Sequence, residues 1–125
     1  MMKTRATIAV VDDDSGVRTA LRELLRSAGF EALTFASSEE FLAAGQDDDV
    51  DFLIADVNLP GMSGVALLKT LASKGAALPA LLITGRGDPG TIDLIRQAGA
   101  VPRLIKPFSD DDLFGIIDQA LKKAS

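Results

Sequence analysis

Short apolar runs alternate along the chain with segments in which apolar residues recur every three or four positions. The runs at residues 7–11, 31–35, 52–55, 80–83 and 101–105 predict five strands. The run at 31–35 is more polar than the others, which indicates a strand at an edge of the sheet. A helical period follows each run, so the pattern predicts five consecutive strand–helix units.

The helix ends carry recognisable signals. Ser37 with Glu40, and Ser109 with Asp112, have the spacing of a capping box, Ser63 is a third predicted cap, and Asp14 is expected to cap the first helix. Gly29 and Gly99 are expected to end the first and fourth helices, and residues 47–49 to form a charged loop. The positions expected to face the core are Val17, Ala20, Leu21, Leu24 and Leu25, then Phe41 and Leu42, then Val65, Leu67, Leu68 and Leu71, then Ile92, Ile95 and Ala98, and finally Leu113, Ile116, Ile117, Ala120 and Leu121.

Alternating strands and helices predict an α/β fold with a doubly wound, five-stranded parallel sheet and helices on both faces. Five such units fit the flavodoxin-like strand order 2-1-3-4-5. No linker or change of composition interrupts residues 1–125, which predicts a single domain. In such folds ligands bind beyond the carboxyl ends of the strands, here between the first and third strands.

The residue types that the chain lacks restrict its chemistry. It contains no His and no Cys, which excludes Ser-His-Asp and Cys-His catalytic sites and a zinc site of the usual ligands. A net charge of −5 argues against direct contact with nucleic acid, which requires a basic face. The sequence shows neither a secretory signal nor an apolar run of the ~20 residues that would span a bilayer. With the absence of Cys, this predicts a cytoplasmic protein without membrane contact.

Polar residues stand directly after four of the five predicted strands. Asp12 and Asp13 follow the first, Asp56 the third, Thr84 the fourth and Lys106 the fifth. If the first and third strands are neighbours, three carboxylates converge and repel one another, and a hard cation such as Mg²⁺ or Mn²⁺ would relieve that repulsion. A carboxylate can also act as a nucleophile toward phosphorus, while a Lys and a hydroxyl hold the phosphoryl oxygens.

Four stretches in this order, VVDDDSGVR, LIADVNLPGMSGVALL, LLITGRGD and GAVPRLIKPF, resemble the receiver domain of two-component response regulators. The resemblance covers nearly the whole chain, from about residue 7 to residue 121. It implies a switch that takes a phosphoryl group from a sensor histidine kinase or a phosphotransfer protein. It implies no enzyme beyond self-catalysed phosphorylation and dephosphorylation.

The resemblance also assigns a role to each matching residue. Asp56 matches the phosphoacceptor, Asp13 the direct ligand of Mg²⁺, and Asp12 the acid that acts on the metal mainly through water. Asn58 matches the residue that gives a backbone carbonyl to the metal.

Two further matches concern the phosphoryl group. Thr84 matches the hydroxyl that turns toward it and Lys106 the ammonium that pairs with it, and the Lys106–Pro107 bond is often cis in this family. The expected output is the face formed by the fourth helix, the fifth strand and the fifth helix. That face would control a partner or an output domain. The motif ITGRGD favours a helix-turn-helix transcription domain as the output. A homodimer through the same face is left open.

Two positions set limits on the resemblance. The family usually has an aromatic residue three before Lys106, where this chain has Arg103, which we expect either to be a surface residue or to contact a partner. Arg86 is expected near the mouth of the site, where it would favour an anionic donor or simply be solvated.

Three alternatives stay open at this point. A degenerate receiver could act only as a binding module. A haloacid-dehalogenase-like phosphatase would use Asp12 and Asp14 as a D-x-D pair, although Gly16 stands where Thr or Val is expected and the chain lacks a cap region. A flavin carrier would require a phosphate-binding first loop and a Trp or Tyr to stack on the flavin, and the chain has neither.

Overall fold

The computed structural model describes residues 5–76, 78–85, 89–99 and 101–124. Within them, five strands alternate with five helices. These are β1 (Thr7–Val11), α1 (Ser15–Ser27), β2 (Glu31–Phe35), α2 (Ser38–Ala44), β3 (Phe52–Asp56), α3 (Gly64–Ser73), β4 (Ala80–Thr84), α4 (Pro89–Gln97), β5 (Arg103–Ile105) and α5 (Asp110–Ala124). The predicted series of strand–helix units is therefore confirmed.

The five strands form one parallel sheet in the order β2-β1-β3-β4-β5, as predicted. Val11 pairs with Ala55 on one side of β3, and Asp56 pairs with Ile83 on the other. Because β1 and β3 are neighbours in register, their carboxyl ends meet at the same edge of the sheet. The more polar strand β2 lies at an edge, which confirms that prediction.

Two apolar layers cover the sheet. One layer joins α1 and α5 to side chains such as Ile54 and Ile83, and the other joins α2, α3 and α4 to the opposite side chains of the same strands. Every residue of β1 and β3 is buried. This pattern is typical of a central parallel strand that is covered on both faces.

The strands differ slightly from their predicted bounds. Asp56 and Thr84 are the last residues of β3 and β4 rather than the first residues after them. β5 begins at Arg103 because Pro102 has no N–H with which to extend the ladder, although its carbonyl accepts from Leu82. The charged segment Asp47–Asp49 forms a short 3-10 turn.

The predicted caps are present. The side chains of Asp14, Ser37, Ser63 and Ser109 each accept a hydrogen bond from a backbone N–H in the first turn of the helix that follows. Glu40 completes its capping motif one residue earlier than expected, because it accepts from the N–H of Ala36. Local sequence therefore fixed where these helices begin.

The inward face of α4 was predicted wrongly at one position. Ile92 is 41% exposed, whereas Thr91 is only 1% exposed. Leu94, Ile95 and Ala98 do pack against the layer that also contains α3. The residue at 91 lies one turn before Ile95 on the same face, and position 92 is rotated about 100° away from it. The buried position is polar, so a search for apolar residues at helical spacing selected its neighbour.

No helix among the described residues has both the length and the apolar character that a membrane span requires.

Candidate functional site

Three carboxylates meet at the carboxyl edge of the sheet. Asp12 is the first residue after β1, Asp13 is the next residue, and Asp56 is the last residue of β3. An oxygen of each carboxylate lies within 4.8 Å of the others, although Asp13 is exposed while Asp12 and Asp56 are buried. The structure therefore brings together the acids that the sequence had placed on adjacent strands.

The loop after β1 holds Asp12 in a fixed orientation. Oδ1 of Asp12 accepts from the backbone N–H of Asp14 at 2.9 Å, and the Arg18 guanidinium donates to the Asp12 carbonyl at 2.7 Å. The sequence analysis did not single out Arg18. Its spacing of six residues from Asp12 places it one turn into α1, on the side that faces the loop.

Asp56 is held by the loop that leaves β3. Its Oδ1 accepts from the backbone N–H of Asn58 at 2.8 Å. Gly64, the first residue of α3, lies against the Asp56 backbone, and a Cβ at position 64 would collide with the Asp56 carbonyl. A side chain at position 64 would therefore push α3 away from the end of β3.

Lys106 connects the two buried acids. Its Nζ donates to Oδ2 of Asp56 at 2.8 Å and to Oδ2 of Asp12 at 2.9 Å. Its backbone N–H donates to the Thr84 carbonyl at 2.7 Å, which fixes the residue beside the end of β4. The Lys106–Pro107 peptide bond is cis, as the resemblance implied.

The charges of the site are not balanced by these residues alone, because three carboxylates surround one ammonium group. Burial raises the pKa of Asp12, and the Asp56 charge raises it further, against the lowering effect of the Asp14 N–H and of Lys106. Burial lowers the pKa of Lys106, but the hydrogen bonds and charges of Asp56 and Asp12 outweigh it and raise that pKa overall. The ammonium group is therefore held in its charged form, and a further cation would stabilise the acids.

Thr84 and Asn58 also lie at this edge. Thr84 is 1% exposed and ends the strand that pairs with β3 on the side away from β1. The Oδ1 of Asn58 accepts from the hydroxyl of Thr91 on α4 at 3.1 Å. Thr91 is a second residue that the sequence analysis missed, and its i, i+4 spacing to Ile95 is the signal that marks it as inward-facing.

Arg103 and Arg86 are the two positions that limited the resemblance. Arg103 is exposed on β5, in agreement with the expectation of a surface residue. Arg86 lies outside the described residues.

The donors at the site suit a hard cation. They are carboxylate oxygens, and Mg²⁺ favours such oxygen ligands. The surplus of negative charge has the sign that a divalent ion would neutralise. The residues present therefore fit a magnesium ion, with Asp13 exposed at the open side.

Comparison with known proteins agrees with this geometry. The sequence model of the response regulator receiver domain matches residues 8–118. The transcriptional regulatory protein FixJ of Bradyrhizobium diazoefficiens is 37% identical over 123 residues, which cover 98% of this chain and 60% of FixJ. The response regulator protein TmoT of Ectopseudomonas mendocina is 39% identical over 125 residues, covering 99% of this chain and 56% of TmoT.

A solved structure leads to the same family. The response regulator StyR superimposes with a TM-score of 0.83 at 40% identity, covering 96% of this chain and 61% of StyR. The chain thus spans less than two thirds of FixJ, TmoT and StyR. The family match extends over most of the sequence and over the strands that carry the acids, and the chain belongs to the receiver domain family of response regulators.

Proposed function

We propose that Asp56 is the phosphoacceptor of this receiver domain and that Lys106 and Thr84 assist the transfer. The observation that carries the proposal is the Lys106 ammonium group, which bridges Asp12 and Asp56 in a site with a surplus of carboxylates. An ammonium group in this position can neutralise charge on a phosphoryl group that joins Asp56.

The donor is a phosphohistidine on a sensor histidine kinase or a phosphotransfer protein. A carboxylate oxygen of Asp56 attacks phosphorus, the new O–P bond forms as the P–N bond breaks, and the imidazole leaves with the electron pair. Lys106 then binds a phosphoryl oxygen. Thr84, at the end of the adjacent strand, offers a hydroxyl to another.

A magnesium ion would be held by the carboxylates of Asp12, Asp13 and Asp56 and by the backbone carbonyl of Asn58. When bound, it supplies positive charge next to the oxygens of the transferring group. Asp13 is the exposed acid of the three, and we propose that it is a direct ligand. Buried Asp12 acts mainly through a water molecule.

The phosphorylated domain would act on a partner or an output domain through α4, β5 and α5. FixJ is named a transcriptional regulatory protein and is longer than this chain, which supports a transcription domain as the output. A helix-turn-helix type for that domain, a cytoplasmic location, a homodimer, the lack of direct nucleic-acid contact and the single domain over residues 1–125 stay predictions.

The alternatives are not favoured. The carboxylate of Asp14 accepts from the N–H groups of Gly16 and Val17, so it caps α1 instead of serving as the second acid of a phosphatase D-x-D pair. The family match favours neither a phosphatase nor a flavin carrier. All the residues that the chemistry requires are present, which argues against a domain that only binds.

The acceptor is tested with a small phosphoryl donor and Mg²⁺. Mass spectrometry should show one phosphoryl group on the wild-type protein, labile in both acid and base. Asp56→Asn should abolish it, whereas Asp118→Asn, which changes an exposed acid on α5, should not. Equal uptake by Asp56→Asn would show that the acceptor is a different residue.

Metal binding has its own test, which does not depend on phosphorylation. Isothermal titration with Mg²⁺ should give one site on the wild-type protein. Asp13→Asn should weaken the affinity by about tenfold or more, since one carboxylate ligand contributes at least ~1.4 kcal/mol. Unchanged affinity would remove Asp13 from the ligands.

A further inference from the structure

A buried hydroxyl ties the first turn of α4 to the loop that follows the acceptor strand. Thr91 is 1% exposed, and its hydroxyl donates to Oδ1 of Asn58 at 3.1 Å. The backbone N–H of Asn58 donates to Oδ1 of Asp56 at 2.8 Å. Asp56, Asn58 and Thr91 therefore form a continuous hydrogen-bonded path from the acceptor carboxylate to α4.

The polar side chain occupies a position that would suit an apolar one. Residue 91 shares the inward face of α4 with Ile95 and Ala98, both of which pack against the core. Burying a hydroxyl there is costly unless it is hydrogen-bonded, and the bond to Asn58 satisfies it. The bond also fixes the distance between the helix and the loop, which apolar packing would not do.

The remaining contacts of α4 are less sensitive to the position of Asn58. Leu94, Ile95 and Ala98 make apolar contacts, which have no preferred direction and tolerate small shifts. At the other end of the helix, Lys69 donates to Gln97 at 3.2 Å across an exposed surface. Among the contacts described for α4, the hydrogen bond from Thr91 is a directional one at the amino end, so its geometry depends on the position of Asn58.

The neighbouring strand offers a weaker connection. Arg103 on β5 is exposed, so its side chain does not form a buried contact that could transmit a change from the site to the helices beside β5. The path through Asn58, by contrast, consists of two hydrogen bonds that each have a buried partner, Asp56 or Thr91, although Asn58 itself is exposed.

We infer that Thr91 is a positioning residue that couples the state of Asp56 to α4; the inference rests on the function proposed above. Phosphorylation converts the Asp56 carboxylate into an acyl phosphate and moves the negative charge to the phosphoryl oxygens. Hydrogen bonds to charged acceptors are stronger than those to neutral ones, so the bond from the Asn58 N–H weakens. Asn58 shifts, and the first turn of α4 follows because Thr91 holds it.

Hydrogen exchange of α4 peptides, measured with and without a small phosphoryl donor in Mg²⁺, tests the coupling. In the wild-type protein, phosphorylation should change exchange in α4 by about threefold to tenfold, the range that one hydrogen bond supports. Thr91→Val keeps the shape and removes the hydroxyl, and should lose most of that change. Thr91→Ser keeps the hydroxyl and should retain it. A full response in Thr91→Val would overturn the inference.

Gln97→Ala is the matched control, because it removes a hydrogen bond from the opposite end of the same helix. It should speed exchange near residue 97 but leave the response to phosphorylation intact. Loss of the response in Gln97→Ala to the same extent as in Thr91→Val would also overturn the inference, since any loosening of α4 would then suffice.

A double-mutant cycle separates this inference from the function on which it rests. Asn58→Ala removes the acceptor of the Thr91 bond but keeps the backbone N–H that reaches Asp56. In protein without donor, Thr91→Val and Asn58→Ala should each speed α4 exchange by about threefold, and the double variant no more than either. Additive effects of the two substitutions on α4 exchange would show that they do not act through one hydrogen bond, and would overturn the inference. If Thr91→Val does not fold, Asn58→Ala alone tests the same hydrogen bond. If the wild-type protein accepts no phosphoryl group, the proposed function fails and the coupling fails with it, whereas phosphorylation together with additive effects in the cycle overturns the inference alone.

Discussion

The central strand β3 and the edge strand β5 both lead to the carboxylate cluster, but their surroundings differ. All five residues of β3 are buried, whereas β5 has three residues, of which Arg103 and Ile105 are exposed. β3 supplies Asp56, and the chain supplies Lys106 directly after β5. Asp56 thus lies on a fully buried strand, and the ammonium group that contacts it follows a short and more exposed edge strand.

This difference separates two requirements of a phosphorylation switch. The proposed acceptor, Asp56, must keep its geometry in both states, and burial on both faces of β3 favours that. The proposed output face of α4, β5 and α5 must be able to rearrange at low cost, and the short, exposed strand β5 within it offers little resistance.

Ile54→Ala in the middle of β3 should cost about 4 kcal/mol of unfolding free energy. Ile54 is fully buried, so the change removes buried methyl and methylene groups and leaves a cavity. Chemical denaturation should show a lower denaturant concentration at the midpoint, with an unchanged slope of unfolding free energy against denaturant concentration. A loss below about 1 kcal/mol would mean that the centre of the sheet is less tightly packed than the structure shows.

Gly64→Ala should destabilise the protein by about 2 kcal/mol, because the new Cβ collides with the Asp56 carbonyl and overpacks the end of β3. The same substitution at Gly115 is the control. There a Cβ meets no atom within 4 Å, and replacing Gly by Ala in a helix interior should stabilise the protein by about 0.5–1 kcal/mol. Thermal denaturation of the two variants should shift in opposite directions, and a shared direction would contradict the close approach at Gly64.

Asp12→Asn should raise the unfolding free energy in metal-free solution near neutral pH, by an amount on the order of 1 kcal/mol. The reason is that burial raises the pKa of Asp12 and so disfavours its charged form in the folded state. The folded protein then holds more protons than the unfolded chain, and the stability of the wild-type protein falls as pH rises from the ordinary value of 3.8 through the raised folded pKa.

The two proteins should therefore be equally stable in acid and diverge as the pH rises through that interval. Saturating Mg²⁺ should reduce or reverse the difference in unfolding free energy between the two proteins near neutral pH, because Mg²⁺ binding stabilises the folded wild-type protein. Denaturation curves across pH, with and without Mg²⁺, measure both effects. A variant less stable than the wild-type protein in metal-free solution would show that the bond of Asp12 to Lys106 outweighs its burial.

Ile105→Ala on β5 should change the unfolding free energy by less than about 0.5 kcal/mol, because Ile105 is 61% exposed. It makes the same chemical change as Ile54→Ala, so the ratio of the two losses of unfolding free energy compares the burial of side chains on β3 with that on β5. A loss approaching that of Ile54→Ala would mean that β5 is covered in solution, as it would be in a homodimer.

The sequence predicted the fold in most of its detail. The apolar runs placed all five strands, and the caps at Asp14, Ser37, Ser63 and Ser109 located the starts of four helices, since both signals depend on residues close together in the chain. The strand order then brought Asp12, Asp13 and Asp56 to one edge.

The sequence was less informative about the contacts that α4 and Arg18 make with the loops of the site. A periodicity of apolar residues selected Ile92, whereas the structure buries Thr91, whose hydroxyl has a partner 33 positions earlier in the chain. Arg18 binds a backbone carbonyl, and any residue type can offer that acceptor. The i, i+4 spacing to Ile95 marks Thr91 as inward-facing, but no pattern of residue types identifies the partner of either contact.

The chemical groups of the protein, and their position at one edge of a parallel sheet, could be inferred from the sequence because the series of strand–helix units and the residues at the strand ends are both read along the chain. The tertiary structure was needed to show that one ammonium group joins Asp12 to Asp56. It was also needed to show that hydrogen bonds through Asn58 and Thr91 link Asp56 to α4. These contacts depend on distances of about 3 Å between residues far apart in sequence, which hydrogen bonds require and which periodicity does not specify.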